Sequence, residues 1–167
     1  MLLLISDANI LIDIEDGDLT PVVFRLPYEI AVPNILFELE LRERHSHLLE
    51  AGLKVKSLTP ESVKKTESLT AQYPRPSMMD HSALALAIQE QCLLLTGDKD
   101  LRIAAKKENV EVHGTIWIVE QLLNQKLIQF RKANGSFDIM KAKGSRLPWA
   151  DADKLLNKWE LVGSSDE

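Results

Sequence analysis

The chain has little that could fix it covalently or carry it into a bilayer. Its 167 residues include one cysteine, Cys92, so no internal disulfide can form, in keeping with a reducing compartment. Cys92 sits in the run Cys92–Leu95 and reads as a buried, inert thiol. No apolar run approaches the roughly 20 residues needed to cross a bilayer. Met1–Ile5 has neither a basic flank nor a small-residue cleavage site, so a cytoplasmic protein with no membrane partner is expected. Positive charge is also in deficit: a net charge of −5 argues against a protein that coats nucleic acid nonspecifically through lysine and arginine. It does not argue against carboxylates gathered around divalent cations, because bound cations reverse the local sign where a phosphate must approach. Internal repeats, low-complexity tracts, a Cys/His set for zinc, a Gly-x-Gly-x-x-Gly or lysine-bearing phosphate loop and a Gly-x-Ser-x-Gly nucleophile elbow are all missing.

What remains is an ordinary globular composition, 45% hydrophobic and 27% charged, at a length that suits one domain with a short appended element. Leu2–Ser6 reads as a buried strand and Ala8–Ile14 as a helical segment ending in the turn Glu15-Asp16-Gly17-Asp18. Tyr28–Val32 alternates like a strand and enters a helix opened by Pro33-Asn34, which should run to about Ala51 and stop at Gly52. Leu53–Leu58 reads as a half-exposed strand, and Thr59-Pro60-Glu61 as a helix start, with that helix stopping before Tyr73-Pro74-Arg75-Pro76. Ser77 caps a helix bearing Ala83, Leu84, Ala87 and Ile88, and Cys92–Thr96 has the fully apolar character of a central parallel strand. A helix at Lys99–Glu108, a short strand at Val110–His113 and a helix at Thr115–Gln125 follow. This alternation predicts a three-layer α/β/α fold around a parallel sheet over residues 1–130. Residues 131–167 form a C-terminal extension: Arg131–Ser145 reads as a basic loop, Leu147-Pro148 leads into a helix with Ala152, Leu155, Leu156 and Trp159 on one stripe, and Gly163–Glu167 as a frayed tail.

Four acids stand beside the ends of apolar runs. Asp7 follows the first strand, Glu38 lies in the helix after the second, Asp80 opens the Ala/Leu-rich helix and Asp98 follows Leu93–Leu95. Each also has an innocent explanation. Asp7 can cap a helix, Asp80 is three residues past Ser77 as in a capping box, and Asp98 and Asp100 favour a helix N-terminus. Glu38, between Phe37 and Leu39, is expected near the core and in need of a partner, either a basic side chain or an ion, whereas Glu40, Glu43 and Glu50 read as solvated. Taken together, three of the four meet at one inferred sheet edge, where like charges repel unless cations such as Mg2+ or Mn2+ lie between them. A water activated there could attack phosphorus.

The segments Ser6–Ile12, Val32–Leu39, Asp80–Ala87 and Leu95–Leu101 resemble, in order, the motifs of the PIN domain, a metal-dependent ribonuclease fold that includes the VapC-type toxins of bacterial toxin–antitoxin pairs. Each motif is short; together they span Leu2 to about Leu101, and the α/β pattern extends the match to about Gln125. The resemblance implies that Asp7, Glu38, Asp80 and Asp98 form the metal-binding and catalytic set, with Asn9 and Thr96 in support and Asp100 as an additional fifth carboxylate. It further implies an RNA substrate, an antitoxin protein as partner and a homodimer. It assigns no role to Arg131–Glu167.

Two other readings compete with the hydrolase. One is a PIN-like binding module of negligible turnover that acts through protein partners. The other, a phosphoaspartate phosphatase, needs a second acid two residues after Asp7, and Asn9 stands there instead. His45 and His47, two apart on a predicted helix, should point in different directions and make poor co-ligands. His81 could reach a site mouth beside Asp80, and His113 has no evident role. Arg102 and Lys106 share a helix face beside Asp98 and could flank a phosphate, as could the Arg131–Arg146 run; Trp117, Trp149 and Trp159 read as core or interface residues.

Overall fold

Leu2–Ser6 (β1) is the middle strand of the molecule, and Leu4 and Ile5 have no solvent exposure. In the computed structural model, which describes residues 1–165, β1 pairs in parallel with Tyr28–Pro33 (β2) on one side and Leu93–Leu95 (β4) on the other. Lys54–Lys56 (β3) extends the sheet beyond β2, and Val112–His113 (β5) extends it beyond β4, giving the order β3-β2-β1-β4-β5 with every pairing parallel. Strands buried on both faces suit unbroken apolar runs such as Leu2–Ile5 and Leu93–Leu95, and each fully buried leucine or isoleucine adds about 1.5–3 kcal/mol. The chain order reverses between β1 and β4. This is where an open parallel sheet leaves a crevice at its carboxyl edge.

Helices complete the three layers. Met78–Glu90 (α7) packs on β1, β2 and β4 and carries a buried run, His81–Ala87, with Pro60–Gln72 (α6) alongside it. Ala8–Asp16 (α1) contacts Thr20–Val23 (α2), Thr115–Asn124 (α9) and Phe130–Ala142 (α10). Lys99–Lys107 (α8) bridges β4 and β5. The caps follow sequence chemistry: Thr59 accepts from the Ser62 N–H, and Ser77 and Asp80 form a reciprocal box.

Two segments depart from the sequence reading. The helix expected from Pro33 to Ala51 is divided into Asn34–Leu36 (α3), a π-helical turn at Phe37–Leu41, Arg42–His45 (α4) and, after a break at Ser46-His47, Leu48–Ala51 (α5). The Arg42 N–H bonds to the Phe37 carbonyl, so the turn holds one residue more than an α-helix allows. Phe37 and Leu41 still face the core, and Glu38, Leu39 and Glu40 all bulge to the exposed side. Glu38 is therefore not near the core.

The second departure is Arg131–Ser145, expected as a loop and found mostly in α10. Asn134 and Gly135 are poor helix formers, but Ala133, Ser136, Phe137 and Met140 make a buried stripe at helical spacing, and packing of that stripe outweighs propensity. Met140 reaches α1 so closely that a Cβ at Gly17 would lie 2.4 Å from its Cε. Trp149–Ser165 (α11) folds back with Ala152 and Leu155 buried, and Phe137 meets Trp149 edge-on at 6.3 Å. The expected frayed tail is helical as far as Ser165; Asp166 and Glu167 lie outside the described residues. Among the described residues no helix is long and apolar enough to cross a membrane.

Candidate active site

Asp7 leaves the carboxyl end of β1 and caps α1, with only 1% of its surface exposed. Both its oxygens are engaged: Oδ1 accepts the Ile10 N–H at 3.0 Å and Oδ2 accepts the Thr96 hydroxyl. The Asp7 N–H in turn bonds the Leu95 carbonyl at 3.0 Å, continuing the β1–β4 pairing past the end of β1. Burial pushes the Asp7 carboxyl up to about pKa 6 against those two hydrogen bonds, and the negative charges of Asp80 and Asp13 add to the rise. An acid so placed is charged at neutral pH only at a cost, and a cation beside it would remove that cost.

Thr96 links this carboxylate to the next turn, because its Oγ1 also accepts the Asp98 N–H at 3.1 Å. Asp98 caps α8 through the Leu101 N–H at 2.8 Å and is exposed. Arg102, one turn into α8, donates from Nε to the Thr96 carbonyl at 2.9 Å and so pins the loop from behind. Asp80, in the first turn of α7, accepts the Ser77 N–H at 3.0 Å and lies near enough to disfavour charge on Asp7. Asn9 is exposed next to Asp7, while Asp100 pairs with Arg75 at 3.6 Å.

On the helix after β2, the π-turn sets the positions of the acids. Glu38 is tied to Arg42 on the exposed face, and the two hydrogen bonds from that guanidinium hold its carboxyl below the usual range. Glu40, expected to be merely solvated, has its carboxyl pushed up by partial burial and by the charge of Asp80. The sequence spacing could not distinguish the two, because nothing in it signals a π-turn. Asp13 was also missed. It accepts the Thr115 hydroxyl at 3.2 Å, its carboxyl is raised chiefly by burial, and its place inside the apolar run Ile10–Ile14 was the available signal.

Asp80 thus lies within electrostatic reach of both Asp7 and Glu40, and Asp98 is linked to Asp7 through Thr96, without these acids closing on a point. Among the described residues, no three of these carboxylates bring ligand oxygens within 4.8 Å of one another. Oxygen-only donors of this kind suit hard divalent cations such as Mg2+ or Mn2+, which keep several of their own waters and need only one or two carboxylates each. His81 is fully buried, its Nε2 2.7 Å from the Tyr73 carbonyl, so it supports α7 rather than reaching the crevice. His113 stacks on Trp117 at 4.4 Å, and Trp117 on Tyr28 at 5.8 Å.

Comparison with known proteins gives a family. No curated protein matches. Among solved structures, the chain is similar to a PilT N-terminus domain protein, SSO1118, from the hyperthermophilic archaeon Sulfolobus solfataricus P2, at 16% identity and a TM-score of 0.46, covering 74% of this chain and 92% of that one. The DUF3368 family model, described as a PIN domain, matches residues 3–161, well over half of the chain. The protein belongs to the PIN-domain family, whose members are generally nucleases.

Proposed function

We propose that the protein is an endoribonuclease that hydrolyses RNA phosphodiester bonds with Mg2+ or Mn2+, and that it is the toxin of a toxin–antitoxin pair. The observation that carries the hydrolase reading is Asp7: a carboxyl buried at the switch point of a parallel sheet, beside the charge of Asp80, with its ionisation disfavoured. Asp7, Asp80 and Asp98 would hold the cation, in part through its bound waters. The helix after β2 supplies the fourth acid; the sequence motif nominates Glu38, and the charge environment favours Glu40.

Bound there, Mg2+ or Mn2+ supplies positive charge for the phosphate and activates a water for attack. The protein's own groups prepare that chemistry. Thr96 fixes the direction of the Asp7 carboxylate, and Arg102 holds the Thr96 backbone in place. Asp98 caps the start of α8, and its N–H bonds the Thr96 hydroxyl. Asn9 stands at the rim as a neutral polar group beside the acids. Leu39, 69% exposed between Glu38 and Glu40, and Met78, 49% exposed two residues before Asp80, give a protein partner an apolar surface next to the acids.

RNA cleavage by the purified protein, with Mn2+ and with chelator, tests the reading. Cleavage should require the metal and vanish in Asp7→Asn; undiminished cleavage by that variant removes Asp7 from catalysis. The separation of the carboxylates favours a second reading, a PIN-like binding module of negligible turnover. No RNA cleavage by the folded protein, with Mn2+ or with chelator, would select it.

A further inference from the structure

The far end of α1 carries a cluster of different chemistry. Glu15, in the last turn, faces two imidazoles from a segment 30 residues further on: His45 Nδ1 meets Glu15 Oε2, and His47 Nε2 meets Glu15 Oε1. A continuous helix would have turned these histidines apart. The break at Ser46-His47 between α4 and α5 instead puts their ring centroids 6.2 Å apart and aims both at one carboxylate.

We propose that Glu15, His45 and His47 form a binding site for a divalent transition-metal ion of the Zn2+ class, separate from the carboxylate crevice. Three atoms, one from each residue, lie within 4.8 Å of one another, close enough for a single ion to draw them into its coordination shell. Among the described residues this is the only group of three or more acidic, histidine or cysteine side chains that meets that spacing. Two imidazole nitrogens and one carboxylate oxygen favour zinc-like ions over Mg2+ or Ca2+, which prefer oxygen alone. One carboxylate and two imidazoles avoid the like-charge repulsion of an all-acid site. Side-chain exposures of 20%, 26% and 52% for His45, Glu15 and His47 leave a path from solvent and an open side for water as a fourth ligand. The seven residue steps from Ala8 to Glu15 rise about 10 Å along the helix, so the ion would sit well away from Asp7. There it would clip the end of α1 to the α4–α5 junction.

The test is Zn2+ titration by calorimetry on full-length, chelator-stripped protein carrying Asp7→Asn, which disables the crevice as a competing site. One Zn2+ per chain at micromolar or tighter affinity is expected. Adding His47→Gln, at an exposed position, or Glu15→Gln should weaken it at least about 10-fold, with circular dichroism unchanged. Zn2+ should also raise the melting temperature of the wild-type chain, and that rise should shrink in His47→Gln. Co2+ in place of Zn2+ should give visible d–d bands that His47→Gln removes. Absence of the site in Asp7→Asn, or equal affinity with and without His47→Gln, would overturn the proposal and leave a hydrogen-bonded clasp. Neither result bears on RNA cleavage.

Discussion

The two ends of α1 place acids in opposite circumstances. At its start, Asp7 is buried at the sheet edge, accepting the Ile10 N–H and the Thr96 hydroxyl, and its charge is opposed by burial and by Asp80. At its close, Glu15 is a quarter exposed and faces two imidazoles. The same residue class therefore gives an oxygen-only site whose charge is disfavoured at one end and a mixed nitrogen–oxygen site at the other. Donor chemistry, more than the number of acids, separates a candidate hard-cation centre from a candidate site for a zinc-class ion.

The sharpest way to break that contrast is Asp7→Asn in the cleavage assay. The expected loss is on the order of 100- to 1000-fold, the scale seen when one electrostatic group leaves an active site; a much smaller loss would put Asp7 on a par with an ordinary helix cap.

Next comes stability against pH in the presence of chelator. The Asp7 carboxyl rises from 3.8 to about 6 on folding, so the native state keeps its proton where the unfolded chain has lost it. Its contribution is fully present below about pH 4 and is lost as pH rises through about 6, a change of roughly 3 kcal/mol at about 1.4 kcal/mol per unit. Denaturant titrations should show Asp7→Asn flattening that slope. An equal slope in both proteins would mean that the cost lies elsewhere.

A finer comparison separates the two neighbouring glutamates. Glu40→Gln should lower metal-dependent cleavage about 10-fold, the effect of losing a supporting carboxylate. Glu38→Gln should matter less, because it removes only an exposed, solvent-screened ion pair with Arg42. The reverse order would show that the π-turn rearranges when metal binds. Smallest of all, His47→Gln should leave cleavage within about twofold, as expected of a site far from the crevice.

The sheet was readable because apolar strands, caps and turn residues all agreed. Leu2–Ser6, Thr59-Pro60 and Ser77-x-x-Asp80 each carried their own local signal, and the place of Asp7 and Asp98 just past strand ends followed from the apolar runs before them. What escaped was set by packing across the molecule. The helix α10 survives Asn134-Gly135 because Phe137 and Met140 are buried, and no periodicity announces the π-turn that sends Glu38 to solvent. The meeting of Glu15 with His45 and His47 was hidden for the same reason. It depends on a helix break that the sequence reading ran straight through.

The most direct check on the central claim is Mn2+ binding, followed by electron paramagnetic resonance, in wild-type protein and in Asp7→Asn. Wild type should take up Mn2+ at a site that Asp7→Asn weakens at least about 10-fold, with the fold intact by circular dichroism. Equal Mn2+ uptake by the two proteins would contradict the account, since the buried carboxylate would then not be what holds the ion.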